Sequence, residues 1–218
     1  MVLLAIADAT YKFIAFDFGT NGKVSDGGVL RNTSFMRKLD ANELHIPKER
    51  TVDNSTRTLP YVFLGDNAFP LRTDMLKPFQ QCDLNCIEKK VYNYRVSRAR
   101  RIVENVFGIL AARFRIFHTA INIKLEYIDE VVKATVALHN YLMSNSTISY
   151  APPDSVASED LENGLVNPGL TSDNSRMVPL LNSHVSVNLP SNAKQVRREF
   201  MEYFNNEGQV PWQQRFVN

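Results

Sequence analysis

Two acids in this chain stand in contexts suited to phosphodiester chemistry. Asp66 closes the apolar run Tyr61-Val62-Phe63-Leu64-Gly65, and Glu104 lies in Arg98-Ala99-Arg100-Arg101-Ile102-Val103-Glu104-Asn105-Val106-Phe107-Gly108. A carboxylate at a strand end and another on a helix are hard oxygen ligands. Mg²⁺ takes one or two such carboxylates together with substrate phosphate oxygens. A pair of such ions activates water and stabilises the leaving oxyanion. Arg98, Arg100 and Arg101 beside the glutamate suit a polyanionic substrate. The blander readings are a turn-forming Asp and a Glu paired with an arginine one helical turn away.

The elements that must position these residues follow from periodicity. Val2–Ala7 and Tyr11–Phe18 are strand-like runs joined by Asp8-Ala9-Thr10, a hairpin pattern. Residues 29–40 suit one short helix, and 41–58 a polar loop. Tyr61–Leu64, between Pro60 and Gly65, has the composition of a buried strand. Residues 70–78 form a short helical turn or connecting segment. Ser97 reads as the N-cap of a helix from Arg98 to about Phe114, with Ile102, Val103, Val106, Leu110 and Phe114 on its apolar face. A second helix spans about 125–143, where Leu125, Ile128, Val131, Val132, Thr135, Leu138 and Leu142 repeat at helical spacing. Residues 144–190 are rich in Ser, Asn, Pro and Asp and read as a flexible linker. A final helix with Ser191 as its cap runs to Asn206, with Val196, Phe200 and Phe204 on one side and Gly208 as its stop. That helix either docks on the domain or binds a partner.

Bulk properties narrow the classes. The 218 residues are 44% hydrophobic and 22% charged, with a net charge of +2, an ordinary globular balance. The distribution of charge says more: eight basic residues and one acid, Glu104, lie between Lys89 and Arg115. Such a window favours a polyanion-facing surface. Cys82 and Cys86 read as free thiols of a reduced intracellular protein. No stretch approaches the roughly 20 apolar residues of a membrane span. His139, on an apolar helix, reads as a satisfied core residue rather than a base. The motifs G-x-x-x-x-G-K, G-x-S-x-G and H-E-x-x-H are absent from the sequence.

Four segments are specific in combination: Val24–Thr33, Leu59–Leu71, Tyr92–Leu110 and Ala137–Leu142. In this order they resemble the DDE superfamily endonuclease domain of PIF/Harbinger-type transposases and the nucleases derived from them. The resemblance covers residues 1 to about 143. It implies an α/β fold of the RNase H-like kind, a mixed sheet flanked by helices. It also implies two-metal cleavage of DNA with Mg²⁺ or Mn²⁺, and nuclear, or also cytoplasmic, residence. Asp66 falls on the family's "GD-x-(A/G)-(Y/F)-P" motif and Glu104 on its "R-x-x-(V/I)-E-x-x-F-G" motif, which makes both of them metal ligands and catalytic residues. The family's first acid lies in an Asp-Gly-Thr strand, and the sequence has no Asp-Gly-Thr. Asp8 corresponds instead to a turn aspartate of the hairpin, and Asp26 to a further family Asp near the site.

The expected domain plan is therefore an endonuclease domain over 1–143, incomplete at its N-terminus and lacking the first strand, a linker over 144–190, and a C-terminal helix and tail over 191–218. The expected partners are DNA and a separate DNA-binding accessory protein, with no membrane. The alternative is a catalytically inactive remnant that binds DNA or protein through the basic helix and the Trp212 tail. A third is a gene fragment with no stable fold.

Overall fold

The computed structural model describes residues 2–20, 26–119, 121–170 and 189–217. Strand β1 (Val2–Ala7) pairs antiparallel with β2 (Phe13–Thr20), with Leu3 opposite Phe18 and Ala5 opposite Phe16. Asp8 builds the turn between them. Its Oδ1 accepts from the Thr10 N–H at 2.8 Å, the Thr10 hydroxyl at 2.7 Å and the Lys12 N–H at 3.0 Å. Burial works to raise the pKa of this carboxyl, but the hydrogen bonds from Thr10 and Lys12 outweigh it and hold the group below its ordinary range. Asp8 is thus a turn former, as expected.

The helix expected over 29–40 is two helices, α1 (Asp26–Asn32) and α2 (Ser34–Asp40). The buried Thr33 divides them. Its hydroxyl donates to the Leu30 carbonyl at 2.7 Å and accepts from the Met36 N–H at 3.0 Å, so it caps α2. Within 41–59, β3 (Arg50–Thr51) pairs antiparallel with β4 (Thr58–Leu59). The expected buried strand is shorter, β5 (Phe63–Leu64), and it pairs in parallel with β6 (Met75–Leu76). Strand β6 falls where a helical turn or connection was expected, because pairing with β5 extends the chain there.

Helix α3 (Ile87–Arg113) begins at Ile87, just after its cap residue Cys86 and eleven residues before the expected start. Val91, Tyr92 and Val96 continue its buried face upstream, and Ser97, the expected cap, is an exposed residue in mid-helix. Helix α4 (Leu125–Asn145) matches its expected span to within two residues. Residues 144–170 are not a featureless linker. They carry α5 (Thr147–Tyr150) and the antiparallel hairpin β7 (Ser158–Asp160) and β8 (Leu165–Asn167). The remainder of the expected linker, 171–188, lies outside the described residues. Helix α6 (Ser191–Asn205) follows, and a 3-10 turn at Gln213–Phe216 ends the chain.

The architecture is mixed α/β. The expected single mixed sheet is not assembled among the described residues, where strands pair only two by two. Helices carry the core instead. Phe13 of β2, Val106 and Leu110 of α3, and Ile128, Val132 and Val136 of α4 form one buried cluster. Leu30, Met36, Leu39 and Met75 form a second, with Leu4 of β1 and Phe63 of β5 both packed on it. Helix α6 docks through Ala193 on Leu71 and Leu76.

Three asparagines tie helices to extended chain by one device. Asn140 accepts from the Phe13 N–H and donates to the Phe13 carbonyl, both at 2.8 Å. Asn93 does the same to Phe79 at 2.7 and 2.9 Å, and Asn105 to Ala157 at 3.1 and 3.5 Å. A side-chain amide carries one acceptor and a donor pair, so it can stand in for a neighbouring strand. In that way it satisfies backbone groups that no ladder reaches.

Candidate active site and basic helix

Asp66 follows β5 directly and is half-buried. Its Oδ1 accepts from the Ala68 N–H at 2.8 Å, and its carbonyl accepts from the Phe69 N–H at 3.2 Å. The residue is therefore a turn former, with one carboxylate oxygen held by the turn's own backbone. Gly65 gives room for this turn, since a Cβ there would meet the Phe69 ring at 2.8 Å. Lys77 approaches the same corner and donates to the Asn67 carbonyl at 3.1 Å. Its pKa is lowered, first by burial and then by Arg197, while Asp66 acts in the opposite sense.

Glu104 points outward from α3. Its side chain is 62% exposed and stands 3.6 Å from Arg100, one turn earlier. Helix α3 packs against β5, so the two acids sit on neighbouring elements. Among the described residues, no group of three or more His, Cys, Asp and Glu side chains is placed to hold a metal ion. Asp66 and Glu104 are two carboxylates on these neighbouring elements. They have the right chemistry for a hard divalent ion but need further oxygens to complete its shell.

The arginines divide into distinct roles. Arg98 Nε and Arg101 Nη1 each reach Glu159 of β7 at 2.8 Å, and the Tyr94 hydroxyl donates to it at 2.9 Å. The Glu159 side chain is 4% exposed. Burial, followed by the hydrogen bond to Glu159, pushes the Tyr94 hydroxyl up to about 12. Arg98 also lies over the Trp212 ring at 5.4 Å. Arg95 donates to the Gly208 carbonyl at 2.8 Å and to Gln213 at 3.2 Å, and Arg113 donates to the Tyr150 carbonyl at 2.6 Å. Much of the basic window therefore ties α3 to the C-terminal third of the chain. Arg100, by contrast, stands 3.6 Å from Glu104 on the same helix.

Glu159 is the residue that sequence reasoning missed, because it lies in the span assigned to a linker. A signal was present: Asn163-Gly164 precedes Leu165-Val166, and such a pair marks a hairpin turn. Gly164 indeed takes a φ of 69°. His139 is fully buried, with Nε2 2.7 Å from the Tyr11 carbonyl and Nδ1 3.0 Å from the Tyr150 hydroxyl. Burial lowers its pKa, against the opposing hydrogen bond to Tyr11. Its role is structural, in keeping with the expectation from its helix. Cys82 and Cys86 are free thiols. No helix among the described residues is long and apolar enough to cross a membrane.

Comparison with known proteins identifies the family. Residues 1–140 match the DDE superfamily endonuclease family. The chain is 25% identical over 118 residues to "Protein ALP1-like" of Arabidopsis thaliana, an alignment covering 54% of this chain and 29% of that protein. The match therefore spans less than a third of that relative's length. No solved structure matches the chain.

Proposed function

Since this chain belongs to the DDE superfamily endonuclease family, we propose that it is a transposase-derived nuclease of the PIF/Harbinger type, acting on DNA in the nucleus. The observation that carries this reading is the placement of Asp66 and Glu104. One follows β5, the other is exposed on α3, and α3 packs on β5. Asp66 and Glu104 would hold Mg²⁺ or Mn²⁺, and substrate phosphate oxygens would complete the shell. The ion supplies water activation and charge neutralisation at the leaving oxygen. The chain's own contribution is orientation. The Ala68 N–H fixes one oxygen of Asp66, and the exposed Glu104 carboxylate would be available to hold a metal in place of its contact with Arg100. Arg100 meets the DNA phosphates, joined by Arg98 and Arg101 once they leave Glu159, and a separate DNA-binding protein supplies site recognition. The RNase H-like reading belongs to this proposal. In support of it, β1 and β5 contribute Leu4 and Phe63 to one cluster beneath α1 and α2.

A second reading is a DNA- or protein-binding module without cleavage. It is favoured by the lack, among the described residues, of three or more His, Cys, Asp and Glu side chains grouped to hold a metal ion, and by the ion pair that occupies Glu104. Nicking of supercoiled DNA by the purified protein, with Mg²⁺ or Mn²⁺ and with chelator, separates the two. Cleavage that needs metal and vanishes in Glu104→Gln supports the nuclease. Metal-independent DNA binding with no cleavage supports the module.

A further inference from the structure

Glu159 brings a nearly buried carboxylate to the basic helix, and three donors from that helix converge on it: Arg98 and Arg101 at 2.8 Å and the Tyr94 hydroxyl at 2.9 Å. Tyr94, Arg98 and Arg101 stand at i, i+4 and i+7, so one face of α3 presents all three. Two guanidinium groups and a hydroxyl around one small oxyanion can grip a phosphate as well as a carboxylate, because both anions accept the same charge-assisted bonds. The element that delivers the carboxylate is slight. Each strand of the hairpin has three residues, and β8 is exposed along its whole length. Besides the Glu159 bonds, its ties include Asn105 on Ala157, Arg215 on the Leu161 carbonyl, and the close approach of Gly164 to the Arg215 backbone. Elements with few buried contacts open locally at low cost.

We propose that Tyr94, Arg98 and Arg101 form a phosphate-binding site whose resident anion is the Glu159 carboxylate, so that the β7–β8 hairpin gates access of a phosphodiester backbone to α3. Opening exchanges one anion for another. The guanidinium groups stay paired, and Glu159 gains water. The identity of the ligand as DNA rests on the proposed function; the oxyanion site itself does not.

The test uses the full chain, its E159Q variant and the triple variant R98Q/R101Q/E159Q. Inorganic phosphate should raise the melting temperature of E159Q but not that of the triple variant. Duplex DNA should bind E159Q about tenfold more tightly than wild type at 50 mM salt, with a log–log salt slope steeper by about two, one for each arginine freed. The triple variant should lose both gains. A folded E159Q with unchanged phosphate and DNA binding overturns the gate and makes Glu159 a fixed anchor. Should E159Q not fold, amide exchange in the wild-type protein decides. Saturating phosphate or DNA should speed exchange across Ser158–Asn167, and unchanged exchange overturns the proposal. Phosphate binding without DNA binding keeps the site and sinks the DNA reading. DNA binding that is indifferent to Glu159 does the reverse.

Discussion

Asp66 and Glu104 carry roles that substitution can pull apart. Asn caps a turn as Asp does, so Asp66→Asn should keep the bond from the Ala68 N–H and change stability by no more than about 0.5 kcal/mol. The same change removes a charge that a divalent ion needs, so metal-dependent cleavage should disappear. Cleavage by a folded Asp66→Asn protein would remove this residue from the mechanism. His139 is a titration of the fold rather than of the site. Burial holds its pKa below the ordinary 6.5, so in mild acid the unfolded chain binds a proton that the folded chain does not. The stability it protects is whole above about pH 6.5 and falls as pH drops from there toward the folded value. Urea midpoints between pH 7.5 and 5 should decline in the wild type and decline less in His139→Gln. Parallel declines would place the acid sensitivity elsewhere.

At the scale of elements, side-chain amides replace missing strand neighbours. Asn140 binds both backbone groups of Phe13 at 2.8 Å, and Phe13 is itself a member of the central cluster. Asn140→Ala leaves a poorly solvated N–H and C=O without partners, at about 1–3 kcal/mol for each group. Chemical denaturation should therefore show a loss of at least about 2 kcal/mol. Asn140→Asp restores the acceptor but not the donor, and should fall between Ala and the wild type. Equal stability of all three would mean that water replaces the clamp. The same logic explains the true length of α3. Its first eleven residues are polar in aggregate, yet Val91, Tyr92 and Val96 are buried, and Asn93 holds the chain at Phe79.

At the scale of the molecule, the C-terminal segment is part of the fold. Ala193 is fully buried against Leu71 and Leu76, Arg197 lies 3.9 Å over the Phe79 ring, and Phe216 stacks on Tyr94 at 4.8 Å. Ala193→Leu has no space to enter and should cost about 1–3 kcal/mol by overpacking. Limited proteolysis should then cut between α6 and the rest of the chain faster than in the wild type. Unchanged cleavage would show that α6 shifts to accept the larger side chain.

Local pattern alone determined the hairpin, α4, the turn role of Asp8 and the position of α6. In each case the signal lies within a few residues: alternation, a 3.6-residue period, or a short polar side chain beside free backbone N–H groups. The motifs around Asp66 and Glu104 were legible for the same reason, and so was the family. Tertiary structure alone decided which cations are spoken for. Arg98 and Arg101 look identical to Arg100 in sequence, yet a carboxylate 58 residues beyond Arg101 takes up both of them. It also decided the clamps of Asn93, Asn105 and Asn140, and the pairing of strands two by two. These depend on partners distant in the chain, and neither composition nor periodicity encodes which distant residue a side chain will meet.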